Sequence, residues 1–497
     1  MHKLDRRQFV KVSLAGGAAL GTGALGPLAS RALLAAGAPD KLPARADAVI
    51  MIWLPGGVAQ GDTWDPKRHT PFEAGMKGSD LLGTCPSIST SVDGLRLGEG
   101  LENLASVMHH GTVVRSLTNE TKFGAVHLKA QYYMMTGYLF PVGVRAPSIG
   151  AAIARTLGSR QESVPPYIYI GRDIDTSDTE KQFIAEAIGP GFYGVKYAPF
   201  MIPDPTQGLA TLAAAAGMSG ERLDRRLAYW KSVGTLSNAE LRDSPKAQDY
   251  VKIMESARAM MDSPVKRAFD YANQEKPETL SAYEPKIAHG EVQDKSYYYG
   301  RRFGHGLLLA RRLVESGARY VQVEYQYGPF RGFDMHENGS TRMVEMKKQV
   351  DGAIAQLIRD LAERGLLERT LVVVATEFGR TIANQPKAGV EPIGFAEQQS
   401  GDKLVIEDEK MYGFHGHFSS ANSMLFFGGG FKPGLVYGRT ADLHPMLPIE
   451  NPVSLVDLHT TIYKALGIPA DTSYTTEGRP FFVTKDGKGK PVDALLA

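Results

Sequence analysis

Short runs of β-branched and aromatic residues, each closed by turn formers, recur along the chain: AVIMIWL at 48–54, PYIYIG at 166–171, RYVQVEY at 319–325, TLVVVAT at 370–376 and SMLFFG at 423–428. Apolar runs of this length predict strands buried on both faces. Between them the period lengthens. Met343, Met346, Val350, Ile354, Leu357 and Leu361 recur every three or four residues, one stripe of a helix, and the stripe stops before Gly365, a C′ glycine. Ser454 and Asp457 form a capping box for LVDLHTTIYKALG, which closes at Gly467 in the same way. Strands alternating with helices predict an α/β fold with a mostly parallel sheet covered on both faces. Residues 205–315 break the alternation: runs such as AQDYVKIMESARAMM and RRFGHGLLLARRLVESG have no strand signal between them. They predict a helical insertion, either capping the sheet edge or making an oligomer contact.

Composition narrows the class without changing this picture. The 497 residues are 43% hydrophobic and 22% charged, which is ordinary for a globular core. The formal charge of +2 and the scatter of Arg and Lys exclude a broad nucleic-acid footprint. Cys85 is the single cysteine, so no internal disulfide is available. The CPS triplet at 85–87 lacks the arginine of a Cys-x-Pro-x-Arg maturation motif, and Cys85 reads as structural.

The amino terminus has a separate logic. Arg6-Arg7 precede Phe9 and Lys11, followed by a mild Gly/Ala/Leu stretch and small-residue cleavage candidates near SRA and AGA. This resembles a twin-arginine export signal over residues 1–32, or up to 46. The glycine-rich stretch is too weakly apolar for a stable membrane span after cleavage. The expectation is therefore a periplasmic or secreted protein with the export machinery as a partner, a body over 47–480 and a tail over 481–497.

Ligands of open parallel sheets bind beyond the carboxyl ends of the strands. The residues just beyond each predicted strand are therefore the candidates for a site. After 48–54 comes a Gly-rich loop with Asp62 and Asp65, and after 319–325 comes GFDMHENG with Asp334 and His336 two apart. After 370–376 stand Glu377 and Arg380, and just before 423–428 stand His415 and His417. Mixed Asp, Glu and His donors on one sheet edge predict a metal-centred site, with a transition metal favoured over calcium. No Gly-x-Ser-x-Gly elbow and no strand-GxGxxG-helix context is present, which excludes the usual serine-hydrolase and dinucleotide sites.

The ordered segments GGVAQGDTWDPK, GLRLGEGLENLASVMHHGTVVRSL, HLKAQYYMMTGY, ARRLVESGARYVQVEY, GFDMHENG, ATEFGRT and FFGGGFKPGLVYGRT resemble the family called domain of unknown function 1501. That family is similar to the alkaline phosphatase and sulfatase superfamily, and SLVDLHTTIYKALGI resembles a sulfatase ending. The resemblance implies an alkaline-phosphatase-like three-layer α/β sandwich and one or two divalent ions, zinc first, with manganese, magnesium or calcium as alternatives. It implies Asp62, Asp334, His336, Glu377 and His417 as metal ligands, with Asp65, Arg380 and His415 as possible additions. Phe378 and Gly416 stand where the superfamily has a histidine and an aspartate.

HLKAQYYMMTG aligns with the superfamily's nucleophile helix and puts His127 at the nucleophile position, with Thr118 and Thr121 as upstream loop candidates. At a helix start the dipole favours a neutral imidazole, able to ligate a metal or accept a proton. His127 is thus expected at the reaction centre. The implied function is an exported metal-dependent hydrolase or transferase of phosphate or sulfate esters, on a small-molecule or glycan substrate. The alternative is a catalytically degenerate member acting in binding or surface assembly.

Overall fold

The computed structural model describes residues 42–497 apart from 119–125, 141–143, 172–177, 214–217, 237–244, 288–293, 327–331, 382–404, 414–415, 445 and 477–478. The twin-arginine segment, Thr121 and His415 lie outside the described residues.

Ten strands matter for the site and the sheet that carries it: β1 Ala48–Trp53, β2 Gly111–Thr118, β3 Tyr167–Ile170, β4 Phe200–Ile202, β5 Tyr320–Glu324, β6 Thr370–Ala375, β7 Gly379–Thr381, β8 Gly416–Phe418, β9 Asn422–Phe427 and β10 Leu435–Tyr437. The main sheet runs β10-β2-β9-β6-β1-β5-β3-β4, and Val453–Ser454 also pairs with β2. All its pairings are parallel except those of β9, which runs antiparallel to both β2 and β6. The five predicted strands are all present, within a residue or two of their expected ends. Sequence pattern missed β2, because Arg115 and Ser116 interrupt GTVVRSLT. Their polar groups are absorbed locally: Arg115 Nε donates to the Trp64 carbonyl at 3.0 Å and Ser116 Oγ to the Asn451 carbonyl at 2.5 Å.

Five helices complete the layers: α1 His127–Thr136, α2 Ile149–Leu157, α3 Asp294–Glu315, α4 Gly339–Glu363 and α5 Leu455–Ala465. Alternate residues of β1 explain why both sheet faces are covered. Ala48, Ile50 and Ile52 pack with α3 and α4, whereas Val49, Met51 and Trp53 pack with α1, α2 and α5. Helix α4 follows the predicted stripe and is closed by Gly365 at φ +66°, and Ser454 Oγ accepts from Asp457 N at 3.1 Å as the capping box requires. Between 205 and 315 the described residues form helices and turns only. The last of these helices, α3, belongs to the sheet's own layer, since Leu307, Leu309, Leu313 and Val314 sit in the core beneath β1 and β5. The carboxyl tail also packs on the body: Leu495 and Leu496 are buried, and Ala497 N donates to the Gly430 carbonyl at 2.8 Å. Among the described residues no helix is long and apolar enough to cross a membrane.

Helix α1, which carries His127, is held at its far end by α5. His459 is 4% exposed and its Nε2 lies 2.9 Å from the Met134 carbonyl, which can only accept, so Nε2 carries the proton. Burial, partly opposed by that hydrogen bond, holds the His459 imidazole down to about 4 against an ordinary 6.5. The folded protein thus refuses a proton that the unfolded chain takes up. Its contribution to stability is complete above pH 6.5 and is lost as pH falls toward 4. His459→Gln is expected to remove about 3 kcal/mol of the stability lost on acidification. Urea unfolding of wild type and variant at neutral and mildly acid pH checks this; equal losses in the two proteins would place the acid sensitivity elsewhere.

Candidate metal centre

The β-strand ends explain how distant residues meet. Strands β1, β5 and β6 run parallel, so the loops after them open on one edge, and β2 delivers α1 to the same edge. The antiparallel β9 begins where its neighbours end. For that reason its contribution, His417, precedes the strand instead of following it. His417 lies on β8, which pairs antiparallel with β7 so that Arg380 and His417 are opposite each other.

Four side chains converge: His127, Asp334, His336 and His417 each offer one ligand atom, all within 4.8 Å of one another. The centre is Asp334 Oδ1. His336 Nε2 lies 2.9 Å from it, His127 Nε2 3.1 Å, His417 Nε2 3.9 Å and Arg380 Nη2 2.6 Å. Asp334 and Arg380 are buried, with side chains 3% and 0% exposed, whereas His336 is 32% exposed and forms the open side. Arg380 is further anchored through Nε to the Gly56 carbonyl at 3.1 Å, and its backbone N donates to Gln60 Oε1 at 2.7 Å. Gly56 is required here. At φ +112° a Cβ would sit 2.4 Å from the backbone N of Asp334.

Glu377 lies one step back from this centre. Its Oε1 is 2.7 Å from His127 Nδ1 and accepts from Gly56 N at 2.8 Å, and its Oε2 accepts from Thr376 Oγ1 at 3.1 Å. A carboxylate on Nδ1 favours keeping a proton there, so that Nε2, which donates to Asp334 without an ion, is the nitrogen available to a metal. Phe378 is fully buried and packs against both His127 and His417, with ring centroids 4.9 and 4.8 Å away.

The charges are mutually adjusted. Burial pushes the Asp334 carboxyl up, but the imidazoles of His127 and His336 at hydrogen-bond distance, with His417 3.9 Å away, outweigh it and hold the group far below the usual carboxylate range. Burial disfavours the His127 cation, yet contacts with Asp334 and Glu377 leave its imidazole above the ordinary value. His417 goes the other way. Burial, with Arg380, His127 and His336 nearby, takes it down to about 3 despite Asp334. Three imidazole nitrogens directed at one carboxylate oxygen, with one imidazole held neutral, is a donor set that a divalent cation fits.

Several expectations change. Asp62 is fully buried but not in the cluster: after Gly56-Gly57 the chain turns into a short 3₁₀ segment, Gln60–Asp62, and the carboxylate accepts from Thr84 N at 2.7 Å and Thr84 Oγ1 at 2.8 Å. Asp65 is likewise elsewhere, bonded by the Thr440 hydroxyl and paired with Lys67 at 3.3 Å and Arg115 at 3.4 Å. Glu377, expected as a ligand, stands outside the four-residue cluster, 2.7 Å from His127 Nδ1, and His127, expected at the reaction centre, is one of the four. Arg380 is brought in; Thr118 donates to the Val453 carbonyl at 3.3 Å. Sequence reading missed Gly56, Gln60 and Glu324. The last is 3% exposed at the end of β5, and burial, reinforced by Glu377, pushes its carboxyl well above the ordinary range. The paired glycines after β1 were the available signal for the first of these.

An α/β protein with a His/Asp cluster across the carboxyl edge of a mostly parallel sheet is thus defined. The chain belongs to the family described as "Protein of unknown function (DUF1501)", whose model matches residues 46–496. No curated protein matches it. Solved structures that it resembles include the lipoteichoic acid synthase LtaP from Listeria monocytogenes, at 10% identity over 90% of this chain and 77% of that one, with a TM-score of 0.36. Another is the PsFucS1 sulfatase from Pseudoalteromonas sp., at 12% identity over 89% and 70%, with a TM-score of 0.37. A third is alkaline phosphatase from the Antarctic bacterium TAB5, at 10% identity over 79% and 94%, with a TM-score of 0.31.

Proposed function

We propose that this protein is an exported, metal-dependent hydrolase or transferase of phosphate or sulfate esters, holding one divalent ion between His127, Asp334, His336 and His417. The observation that supports it is the convergence of three Nε2 atoms on Asp334 Oδ1, with His127 Nδ1 locked by Glu377. Three nitrogens and one carboxylate suit zinc or a similar borderline metal better than magnesium or calcium, which take oxygen ligands. When bound, such an ion supplies Lewis-acid activation of water and charge stabilisation for the ester. The chain's own residues would do the rest. Glu377 keeps a proton on His127 Nδ1, buried Arg380 fixes Asp334, Phe378 closes one wall to water, and the exposed edge of His336 faces the substrate. The ester class rests on the motif resemblance, and export rests on Arg6-Arg7 and the stretch after them.

One observation favours a second reading. His127, where the superfamily resemblance calls for a hydroxyl or thiol nucleophile, is turned toward Asp334 at 3.1 Å, and four protein donors can close a tetrahedral sphere. A binding or surface-assembly protein with a structural ion has the same geometry. Chelator-stripped protein titrated separately with zinc, manganese, magnesium and calcium separates the cases, followed by p-nitrophenyl phosphate, its diester and the sulfate. The hydrolase reading expects a raised melting temperature with zinc and zinc-dependent turnover of one ester. Stabilisation with a silent panel supports the binding protein, and no stabilisation by any ion contradicts both.

A further inference from the structure

The opposite edge of the sheet carries a second recess. A cavity of about 700 Å³ opens where Pro165-Pro166 enter β3, Phe200 and Met201 begin β4, and the last turn of α2 ends. Strand polarity puts it at the amino ends of the strands, away from the His/Asp cluster at their carboxyl ends. Its apolar wall is open to solvent: Val195 and Met201 are 41% and 40% exposed. Its polar lining includes Arg155.

The Arg155 guanidinium is clamped by aromatic rings, its central carbon 4.0 Å from the centroid of Tyr474, 4.4 Å from Tyr193 and 5.5 Å from Tyr197. Tyr474 is itself fixed, because its hydroxyl donates to Thr156 Oγ1 at 2.8 Å. Stacking covers the faces of a guanidinium and leaves its N–H edges available. Among the described residues no carboxylate lies within ion-pair reach of Arg155. Of the two acids lining the cavity, Glu255 is paired with Lys231, and Glu162 stands exposed at the rim. Lys196 adds a second cation to the lining.

We propose that this cavity binds a small amphiphilic anion, a carboxylate, phosphate or sulfonate on an apolar body, with Arg155 engaging the anion and Val195, Phe200 and Met201 engaging the body. A cation held rigid in advance loses little freedom on binding, and a bidentate contact to a planar or tetrahedral anion suits its fork. The site is independent of the metal centre.

The test uses 8-anilinonaphthalene-1-sulfonate as a fluorescent probe on the whole protein, with octanoate and 1-octanol as competitors. Saturable binding of one probe per chain is expected, displaced by octanoate at least tenfold more effectively than by octanol. Arg155→Met should weaken both anions at least tenfold, and Met201→Trp, which fills the recess and leaves Arg155 in place, should block the probe even if Arg155→Met does not fold. Chelator and His336→Ala should leave binding unchanged. Equal displacement by octanol, or wild-type binding in Met201→Trp, overturns the proposal.

Discussion

Asp334→Asn is expected to abolish metal uptake and to destabilise the metal-free protein by about 3–5 kcal/mol, the usual result of removing one partner from a buried ion pair. The asymmetry of its surroundings is the reason. Asp334 Oδ1 is the common acceptor for His127, His336 and Arg380, and Arg380 is fully buried, its Nε also reaching the Gly56 and Gly57 carbonyls. An amide neutralises neither Arg380 nor His127, and its NH₂ group opposes their N–H donors. Urea unfolding in the presence of chelator reads the stability loss, and zinc titration by melting temperature reads the loss of binding. A variant that unfolds like wild type and still gains stability with zinc would show that Asp334 is peripheral.

Glu377→Gln is expected to behave differently, keeping the fold and one metal equivalent but weakening affinity by about 10–100-fold. The amide retains an acceptor for His127 Nδ1 and Gly56 N but loses the charge that makes the imidazole a better donor through Nε2. A direct ligand would give a larger effect, close to that of His336→Ala. Isothermal titration of zinc into the three proteins decides between the two roles. Equivalence of Glu377→Gln and His336→Ala would restore Glu377 to the ligand set that the sequence resemblance implied.

Strands such as Thr370–Ala375 were legible because both faces are buried, which leaves an uninterrupted apolar run. Strand Gly111–Thr118 was not, because Arg115 and Ser116 satisfy their polar groups with carbonyls distant in sequence. Asp334, His336 and His417 were readable as short-range pairs or near-pairs beside strand ends. Their assembly was also foreseeable, since parallel strands gather their following loops on one edge. The order of contact was not legible. Whether His127 or Glu377 faces the centre depends on a 2.7 Å contact between residues 250 positions apart, and Asp62 was lost to Thr84 because the loop after β1 turns at Gly56 in a conformation open to glycine. Residue type identified the donors; backbone direction assigned them.

The claim that His127, Asp334, His336 and His417 hold one divalent ion is tested most directly by elemental analysis of protein purified without chelator. One equivalent of a borderline metal per chain is predicted, zinc foremost, with none retained in Asp334→Asn or His336→Ala of the same preparation. Protein that folds, carries no stoichiometric metal and takes none up on dialysis against zinc would contradict it.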